Sequence, residues 1–389
     1  MESCLFSYPG HELSLPNIVK AENTYVYDDQ GNRYLDLESG VWCTCLGHGN
    51  PEILRVMTRQ AAELAHTGFG FTMPVVEETA RTLLDLHGFQ GGRAVFLCSG
   101  SEAVEFGVRV TRDALGQADF LTMAGSYFGA YGAAHGKDQW HLFDWRPCKA
   151  CEKSVCSHDC RHWTAIPFET ITSFVFEPGS AGGIVGFPPR KVVRAIAEAV
   201  RGNHGIVMVN EVTTGMGRTG RWFGYEHYDI RPDIVAMGKG LGNGYPVSAA
   251  VVSERVSNML PDETIAYAQS HQNDPLGAAV AGAVIEEIRS GNLIEHAAQL
   301  SVYLMAGLNH IRETTGSIKE IRGRGLMVAI ELSGDEAVAR QVRRELLAKG
   351  YILAQRPGLN VLRIDPALTM ETAELEGFLN ALDDVLAHL

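Results

Sequence analysis

The sequence predicts an α/β fold, with a large domain built on a mostly parallel central sheet flanked by helices and a smaller α+β domain after it. Short apolar runs alternate with amphipathic helical stretches through the middle of the chain, a pattern typical of parallel strands joined by helices. The length of 389 residues is enough for two domains. The 42 glycines fit the many tight turns that such a fold requires.

The large domain is predicted from four buried strands and the helices between them. Each strand is a short apolar run closed by small or polar residues. The four strands cover residues 94–98, 172–176, 205–209 and 234–237. Helical patterns lie between them at 102–115 and 190–202. Ligands of open parallel sheets gather at the carboxyl ends of the strands, so we expect the functional residues there.

The smaller domain is predicted from the last third of the chain. A long helical stretch near 275–312 precedes a strand over 321–332. Two further strands and a final helix follow at 350–354, 360–364 and 371–388. We therefore expect an N-terminal segment that packs with the small domain, a large domain and a small domain, at 1–50, 51–275 and 276–389.

Composition and charge exclude several classes of function. The formal net charge of −13 argues against a nucleic-acid partner, because phosphate contacts need a basic surface. No run of the sequence approaches the roughly 18–20 apolar residues of a membrane span. The first residues lack the basic segment and apolar run of a secretory signal, so we expect a cytoplasmic protein.

Four of the 8 cysteines fall within the insert 148–160. They are Cys148, Cys151, Cys156 and Cys160. Their number and close spacing predict a structural zinc site, although the gap between the two halves is shorter than in the ordinary paired knuckles. An iron–sulfur cluster and a chance cluster of free thiols are the alternatives. A bound metal would order a loop near the entrance of the site.

A strand, a tight turn of small residues and the start of a helix follow one another at 96–103. Backbone N–H groups at a helix start attract anions, and hydroxyl groups add further donors. This helix start, with the hydroxyl groups of Ser99 and Ser101, is therefore a candidate for binding a phosphate. The same pattern is also common in a simple helix N-cap.

Lys239 comes directly after an apolar strand and lies between Gly238 and Gly240. Burial at such a place lowers the pKa of an amine, which is what Schiff-base chemistry needs. The glycines would let a bulky cofactor approach the backbone closely. The alternative is a lysine that caps a strand at the protein surface.

Several ordered motifs resemble those of the class III aminotransferases, whose members include the ornithine and 4-aminobutyrate aminotransferases. The long signature of that family resembles residues 209–220, 223–228, 232–234 and 238–239. Further motifs extend the resemblance over nearly the whole chain, at 34–37, 46–51, 99–103 and 361–364. The resemblance implies a pyridoxal-5′-phosphate enzyme of fold type I.

The resemblance also implies roles for residues around the cofactor. Lys239 would hold the cofactor as a Schiff base and then move the proton. Gly100 and Ser101 would bind its phosphate. Tyr127 would lie against one face of the pyridine ring, and Val212 would press on the other.

Further implied roles concern the substrate and a second subunit. Arg363 matches the family's arginine for the substrate carboxylate, and a planar guanidinium suits a two-point contact with that group. Ser270 stands where the family usually has a threonine that reaches the phosphate of the neighbouring subunit, so a homodimer with a shared active site is expected. Val41 and Trp42 would line the pocket, unless Trp42 is only part of the core.

Asn210 is the most important departure from the family pattern. The family almost always has an aspartate there, whose charge keeps the pyridine nitrogen protonated and makes the ring an electron sink. Asparagine can form a hydrogen bond with that nitrogen but carries no charge. Two interpretations follow, namely an aminotransferase with a weaker electron sink, or a racemase, aminomutase or lyase on the same fold. A catalytically silent binding protein is a third hypothesis.

Three further departures bear on the substrate. Thr213 replaces the usual glutamine near the phenolic oxygen of the cofactor, and Ala130 stands where ornithine-type members often carry an arginine for a distal carboxylate. The stretch 177–183 lacks the second glutamate that masks the carboxylate-binding arginine in ω-specific members, so Arg363 is expected to be open. The sequence thus favours an aminotransferase that takes an α-amino acid with a small or apolar side chain as donor and a keto acid as acceptor.

Overall fold

The computed structural model of the protein describes residues 4, 6, 17–68, 70–157, 159–180, 182, 184–260 and 265–389. Most of the N-terminal residues on which the prediction of a cytoplasmic protein depends lie outside this described part of the chain. Its strands are β1 (Ile18–Glu22), β2 (Tyr25–Asp28), β3 (Arg33–Asp36), β4 (Arg93–Leu97), β5 (Phe120–Met123), β6 (His141–Phe143), β7 (Ser173–Phe176), β8 (Ile206–Asn210), β9 (Ile234–Met237), β10 (Ser248–Val252), β11 (Ile318–Arg324), β12 (Met327–Leu332), β13 (Tyr351–Ile352), β14 (Ala354–Gln355) and β15 (Val361–Ile364).

The helices follow the same chain order. They are α1 (Ser39–Trp42), α2 (Pro51–Glu63), α3 (Pro74–His87), α4 (Gly100–Leu115), α5 (Ala133–Gly136), α6 (Arg161–Thr164), α7 (Arg190–Gly202), α8 (Glu254–Ser257), α9 (Pro275–Ser290), α10 (Leu293–Thr315), α11 (Glu336–Ala348) and α12 (Thr372–Ala387). Within the described part of the chain, none of these helices is long and apolar enough to cross a membrane.

The central sheet has seven strands in the order β4-β10-β9-β8-β7-β5-β6. β10 runs antiparallel to both of its neighbours, and the other neighbouring strands pair in parallel. Every residue of β7, β8, β9 and β10 is buried, as expected for strands with helices on both faces. The predicted α/β fold with a mostly parallel central sheet is therefore confirmed.

The four strands predicted from apolar runs are present as β4, β7, β8 and β9, with ends within one residue of the predicted bounds. β5, β6 and β10 are not among the predicted strands. β5 and β6 are only 4 and 3 residues long. β10 begins with Ser248, Ala249 and Ala250, and small residues give a weak strand signal.

A second sheet has four antiparallel strands in the order β11-β12-β15-β14. The single strand predicted over 321–332 is wrong, because β11 and β12 form a hairpin that turns at Gly325. Gly325 has a φ of 55°, and a Cβ there would lie 2.4 Å from the backbone nitrogen of Gly220, so the turn requires glycine. The predicted helical stretch near 275–312 is divided into α9 and α10, since Asn292 between them has a left-handed φ of 50°.

The N-terminal strands form a third sheet in the order β1-β2-β3-β13. β3 pairs in parallel with β13, with Leu35 opposite Tyr351. This pairing places the N-terminal strands beside the last third of the chain. The domain boundaries after residues 50 and 275 stay predictions.

The carboxyl ends of β4, β8 and β9 meet at one edge of the central sheet, because the three strands run in the same direction. β4 leads into Ser99 and α4, β8 ends at Asn210, and β9 is soon followed by Lys239. β10 enters the sheet at the same edge, where Ser248 Oγ donates a hydrogen bond to the Ser99 carbonyl at 2.7 Å. The fold thus brings three separate parts of the sequence to one place.

Candidate active site

Lys239 begins a short 3-10 helix after β9 and has a left-handed φ of 47°. Its Nζ donates a hydrogen bond to Thr213 Oγ1 at 3.1 Å and lies 4.5 Å from the centroid of the Trp42 ring. Burial lowers the pKa of Lys239, and the nearby Cys43 and Glu177 oppose this shift only in part. A lysine with a lowered pKa supplies the neutral amine that attacks a carbonyl carbon.

The start of α4 is suited to an anion. Ser99 and Glu102 form a capping box, in which Ser99 Oγ accepts from the Glu102 N–H and the Glu102 carboxylate accepts from the Ser99 N–H. The N–H groups of Gly100 and Ser101 belong to the same first turn, where a bound phosphate would meet them. A Cβ on Gly100 would lie 2.5 Å from Val212 Cγ1, so this close approach requires glycine.

Asn210 ends β8, and its side-chain amide is held on both sides. Nδ2 donates to the backbone carbonyl of Tyr127 at 3.0 Å, and Oδ1 accepts from the Val212 N–H at 3.1 Å. The Tyr127 N–H donates to the Glu177 carboxylate at 3.0 Å. The structure therefore gathers the three residues that the sequence predicts around the pyridine ring.

These residues fit pyridoxal phosphate. A helix start is available for the phosphate at Gly100 and Ser101, an amine of lowered pKa at Lys239, and a hydrogen-bonding side chain for the ring nitrogen at Asn210. The phosphate turn is also closely packed from the other side, since a Cβ on Gly129 would lie 2.6 Å from Ser101 Oγ. Such close backbone approach is typical of sites that hold a large anionic cofactor.

Arg363 lies on β15 and is largely buried. The guanidinium carbon lies 3.9 Å from the centroid of the Trp42 ring. Nη2 is 3.5 Å from Glu38 Oε1, and Nε is 3.8 Å from Asp365 Oδ2. The expectation that Arg363 stands open to a substrate carboxylate is not met in this structure, because two carboxylates of the chain flank the guanidinium.

Trp42 is placed by an unusual backbone segment. The four residues of α1 all have positive φ values, between 49° and 65°. The Asp36 carboxylate holds this left-handed turn, because it accepts hydrogen bonds from the N–H groups of Glu38, Ser39 and Gly40. Trp42 is buried, and its ring contacts both Lys239 and Arg363, so it belongs to the core and to the wall of the site.

Neither Glu38 nor Asp365 is identified from the sequence as a site residue. Asp365 is fully buried, and burial raises its pKa to about 6, while Arg363 and Arg218 oppose that shift. An aspartate directly after an apolar strand, two residues from Arg363, was the available signal for Asp365. Glu38 has no comparable signal, because its contact depends on how the N-terminal segment meets β15.

Ser270 is exposed, and the described contacts do not link it to Gly100 or Ser101. The turn around it is held against β4, since the Asn273 N–H donates to the Phe96 carbonyl and Asn273 Oδ1 accepts from the Phe96 N–H, both at 2.9 Å. Its predicted contact with a neighbouring subunit stays a prediction.

A trio near this turn has metal-ligating side chains, namely His66, His271 and Asp274. Their ligand atoms all lie within 4.8 Å of one another. The Asp274 oxygens are already engaged by His66 Nδ1 at 3.1 Å and by the Gly277 N–H at 2.9 Å. These contacts explain the grouping as a helix cap with a hydrogen bond between a histidine and an aspartate.

The four cysteines of the insert are not gathered as a metal site in the structure. No three of Cys148, Cys151, Cys156 and Cys160, all of them described, bring their sulfur atoms within 4.8 Å of one another. They do lie near each other, since burial first and then the other three thiols raise the pKa of Cys148 to about 11. Cys148 is buried beside Trp145 and Trp163, whereas Cys160 is the N-cap residue before α6. The structure describes the four cysteines as free thiols, so the predicted ligand set and its zinc ion stay predictions from their spacing.

Comparisons with known proteins point to one family. The family described as Aminotransferase class-III matches residues 7–137 and 144–386. An acetylornithine aminotransferase from Caldanaerobacter subterraneus subsp. tengcongensis is 32% identical over 382 residues, which cover 96% of this chain and 95% of that protein. A leucine/methionine racemase from Thermococcus litoralis is 31% identical, over 95% of this chain and 90% of that protein. Among solved structures, a Bacillus anthracis aminotransferase has a TM-score of 0.88 and 25% identity, over 99% of this chain and 96% of that one.

Proposed function

The chain belongs to the class III aminotransferases and is a transaminase that depends on pyridoxal phosphate; from that premise we propose that Lys239 binds the cofactor as a Schiff base and then moves the proton at the substrate's α-carbon. The supporting observation is the position of the Lys239 amine, 3.1 Å from Thr213 Oγ1 and over the Trp42 ring. When bound, the cofactor withdraws electrons from the bond that breaks at the α-carbon. The lowered pKa of Lys239 lets the amine accept that proton.

The other residues would hold the cofactor in place. The N–H groups of Gly100 and Ser101 would bind the phosphate at the start of α4. Tyr127 and Val212 would lie against the two faces of the ring. These two residues are already linked through the Asn210 side chain, so the three would be positioned together.

Thr213 would take part at the other polar edge of the ring. Its hydroxyl accepts the hydrogen bond from Lys239 Nζ. A threonine hydroxyl can accept from one group and donate to another. Thr213 would therefore orient the lysine and hydrogen-bond the phenolic oxygen of the cofactor at the same time.

The donor that this site would take is an α-amino acid with a free carboxylate and a small or apolar side chain, and the acceptor is a keto acid. Arg363 supplies the cation for the carboxylate. Ala130 offers no charge for a carboxylate that is distal from the reacting amine, which argues against the substrate named for the acetylornithine aminotransferase relative. The Glu38 carboxylate, 3.5 Å from Arg363 Nη2, would have to give way when a substrate carboxylate binds.

The assembly and the compartment are also part of this proposal. A homodimer is supported by Ser270, which is exposed near the end of β4 and matches the family's threonine for the neighbouring phosphate. A reducing, cytoplasmic setting would keep the 8 cysteines as the free thiols that the structure describes.

Racemisation of an amino acid is the second candidate function. Two observations favour it, namely Asn210 in place of the usual aspartate and the 31% identity to a leucine/methionine racemase. Both reactions begin with removal of the same proton. They differ in whether that proton returns to the substrate or the amino group stays on the cofactor.

The experiment that separates these functions is spectroscopy of the purified holoprotein with single L-amino acids and no keto acid. We expect the absorption band of the lysine-bound cofactor to disappear as the amino group is transferred, and the corresponding keto acid to form. Conversion of the L-amino acid to its enantiomer, with the band retained, would instead establish racemisation.

The Lys239→Ala variant tests the role of the lysine in the same assay. The loss of a covalent nucleophile that also carries the proton should lower turnover by at least about 10³-fold. Lys319→Ala, at an exposed lysine of β11, is the matched control and should leave turnover unchanged. Wild-type turnover in the Lys239→Ala variant would overturn the proposed role.

A further inference from the structure

We propose that Asn210 holds the ring nitrogen of the bound cofactor in its unprotonated form, by donating to that nitrogen a hydrogen bond from Nδ2. The inference rests on the proposed function, because it requires the cofactor ring to lie beside Asn210. It concerns the protonation of the ring nitrogen, whereas the proposed function concerns the binding of the cofactor.

The orientation of the Asn210 amide is fixed by the backbone. Nδ2 faces the Tyr127 carbonyl, which can only accept, and Oδ1 faces the Val212 N–H, which can only donate. A rotation of the amide by half a turn would place N–H against N–H and oxygen against oxygen. The usual ambiguity between the nitrogen and oxygen of an asparagine side chain is therefore resolved at this position.

The fixed amide has one donor to spare. Nδ2 carries two hydrogens, and the Tyr127 carbonyl takes one of them. Asn210 is only 4% exposed, so solvent is not a ready partner for the second hydrogen. A pyridine nitrogen without a proton is an acceptor, and it matches this donor.

A protonated ring nitrogen would fit this place less well. It would need an acceptor, and Asn210 Oδ1 already receives the Val212 N–H. The oxygen has a second lone pair, but a neutral amide does not compensate the positive charge of a buried pyridinium. Burial without a counter-charge lowers the pKa of a cationic acid.

The charged groups around this amide do not restore the missing carboxylate. The carboxylate linked to Asn210 by hydrogen bonds is Glu177, which lies beyond the Tyr127 backbone and accepts the Tyr127 N–H at 3.0 Å. The guanidinium of Arg363 would disfavour a further positive charge on the ring. Glu177 is committed to the backbone, so the ring nitrogen would meet only a neutral donor.

An unprotonated ring withdraws electrons more weakly than a protonated one. The proton that leaves the α-carbon would then have to be taken up and delivered with little charge accumulating on the ring. Transfer of this proton would therefore depend more strongly on Lys239, whose amine is held in place by its hydrogen bond to Thr213 Oγ1.

The experiment is nitrogen NMR of the full-length holoprotein, reconstituted with pyridoxal phosphate that carries ¹⁵N in the ring. We expect the resonance of an unprotonated pyridine, constant from mildly acidic to alkaline pH. In Asn210→Asp, which restores a negative charge, we expect the resonance to move to that of a protonated ring. Asn309→Asp adds the same charge on α10, away from the site, and should leave the resonance unchanged.

A protonated ring nitrogen in the wild-type holoprotein would overturn this inference. The wild-type spectrum decides the question even if the Asn210→Asp variant does not fold. A protein that takes up no cofactor would instead contradict the proposed function, so the two failures are distinguishable.

Discussion

The two ends of the candidate site differ in how firmly their polar groups are held. At the ring-nitrogen end, formed by Asn210, Tyr127 and Val212, both hydrogen bonds of the Asn210 amide go to the backbone, at 3.0 and 3.1 Å. At the carboxylate end, formed by Arg363, Glu38, Asp365 and Trp42, the ion pairs of Arg363 measure 3.5 and 3.8 Å. Arg363 Nε, Trp42 Nε1 and both Asp365 oxygens are buried there without a hydrogen bond of normal geometry.

This difference indicates what each end can do. A buried polar group without a partner costs free energy, and a ligand that supplies the partner recovers it. The carboxylate end is therefore ready to be rearranged by a substrate carboxylate. The ring-nitrogen end has no such freedom, so it would set the electronic state of the cofactor in the same way for every substrate.

The largest effect is expected when the cation of the carboxylate end is removed. Arg363→Ala should lower kcat/KM for α-amino acids by roughly 30-fold to 4 × 10³-fold, because loss of one partner of the buried charge pair between Arg363 and the substrate carboxylate costs about 2–5 kcal/mol. Arg363→Lys should recover only part of this loss, since an ammonium cannot make the two-point contact. The measurement is steady-state kinetics with each variant.

The ring-nitrogen end supplies the internal control for that prediction. The absorption spectrum of the bound cofactor should be the same in Arg363→Ala as in the wild type. Arg340→Ala, at an exposed arginine of α11, should change neither kcat/KM nor the absorption spectrum of the bound cofactor. An equal loss of activity towards an amine without a carboxylate would show that Arg363 does not act through the substrate carboxylate, and the comparison between the two ends would fail.

The second effect concerns the stability of the carboxylate end. Burial raises the pKa of Asp365 from 3.8 to about 6, so the folded protein binds this proton more tightly than the unfolded chain does. The contribution of Asp365 to the free energy of unfolding should therefore fall as the pH rises from about 4 to about 6, by about 1–3 kcal/mol in total. Above about pH 6, the full free-energy cost of burying the charged Asp365 carboxylate is present.

Urea unfolding of wild type and Asp365→Asn across this pH range measures the effect. Glu211 is also buried, with a pKa raised to about 7, and it acts in the same direction. The difference between the two proteins therefore isolates Asp365. Asp384→Asn, at an exposed carboxylate, is the control. Parallel curves for wild type and Asp365→Asn would contradict a strained carboxylate end.

The part of the site at Lys239 and Gly100 could be predicted from local sequence patterns, whereas the roles of Asn210, Tyr127 and Val212 were implied only by the family resemblance. Asn210 and Lys239 come at or just after fully apolar runs that form β8 and β9. Gly100 follows β4 and opens a helix with a capping box. Each of these signals lies within a few consecutive residues, and the parallel sheet then brings the strand ends together.

The carboxylate end could not be predicted in the same way. The contact between Glu38 and Arg363 joins residues far apart in the sequence, and it depends on the meeting of the N-terminal segment with β15. The turn that carries Trp42 has positive φ values, which residues other than glycine rarely adopt. It is held by hydrogen bonds to Asp36, and no propensity indicates such an arrangement.

The cysteine insert differs from both ends of the site, because its metal site stays a prediction. Its spacing gave a strong local signal for a metal site, yet spacing alone does not determine where side chains point. Cys148 is buried among aromatic side chains, and hydrophobic packing of this kind competes with convergence of the sulfur atoms. The hairpin at Gly325 illustrates the same limit, because an apolar pattern over 321–332 does not reveal where the chain reverses.

The smallest effect is expected from Glu38, and it tests most directly whether the carboxylate end is adaptable. Glu38→Gln removes the charge that competes with a substrate carboxylate for Arg363. The pair is partly exposed and 3.5 Å apart, so its contribution should be about 0.5–1 kcal/mol, and KM for α-amino acids should fall by roughly 2- to 5-fold. Glu22→Gln, at an exposed glutamate of β1, should leave KM unchanged. A higher KM in Glu38→Gln would mean that Glu38 positions Arg363 for the substrate. The carboxylate end would then be preorganised, and the two ends would differ only in the lengths of their polar contacts.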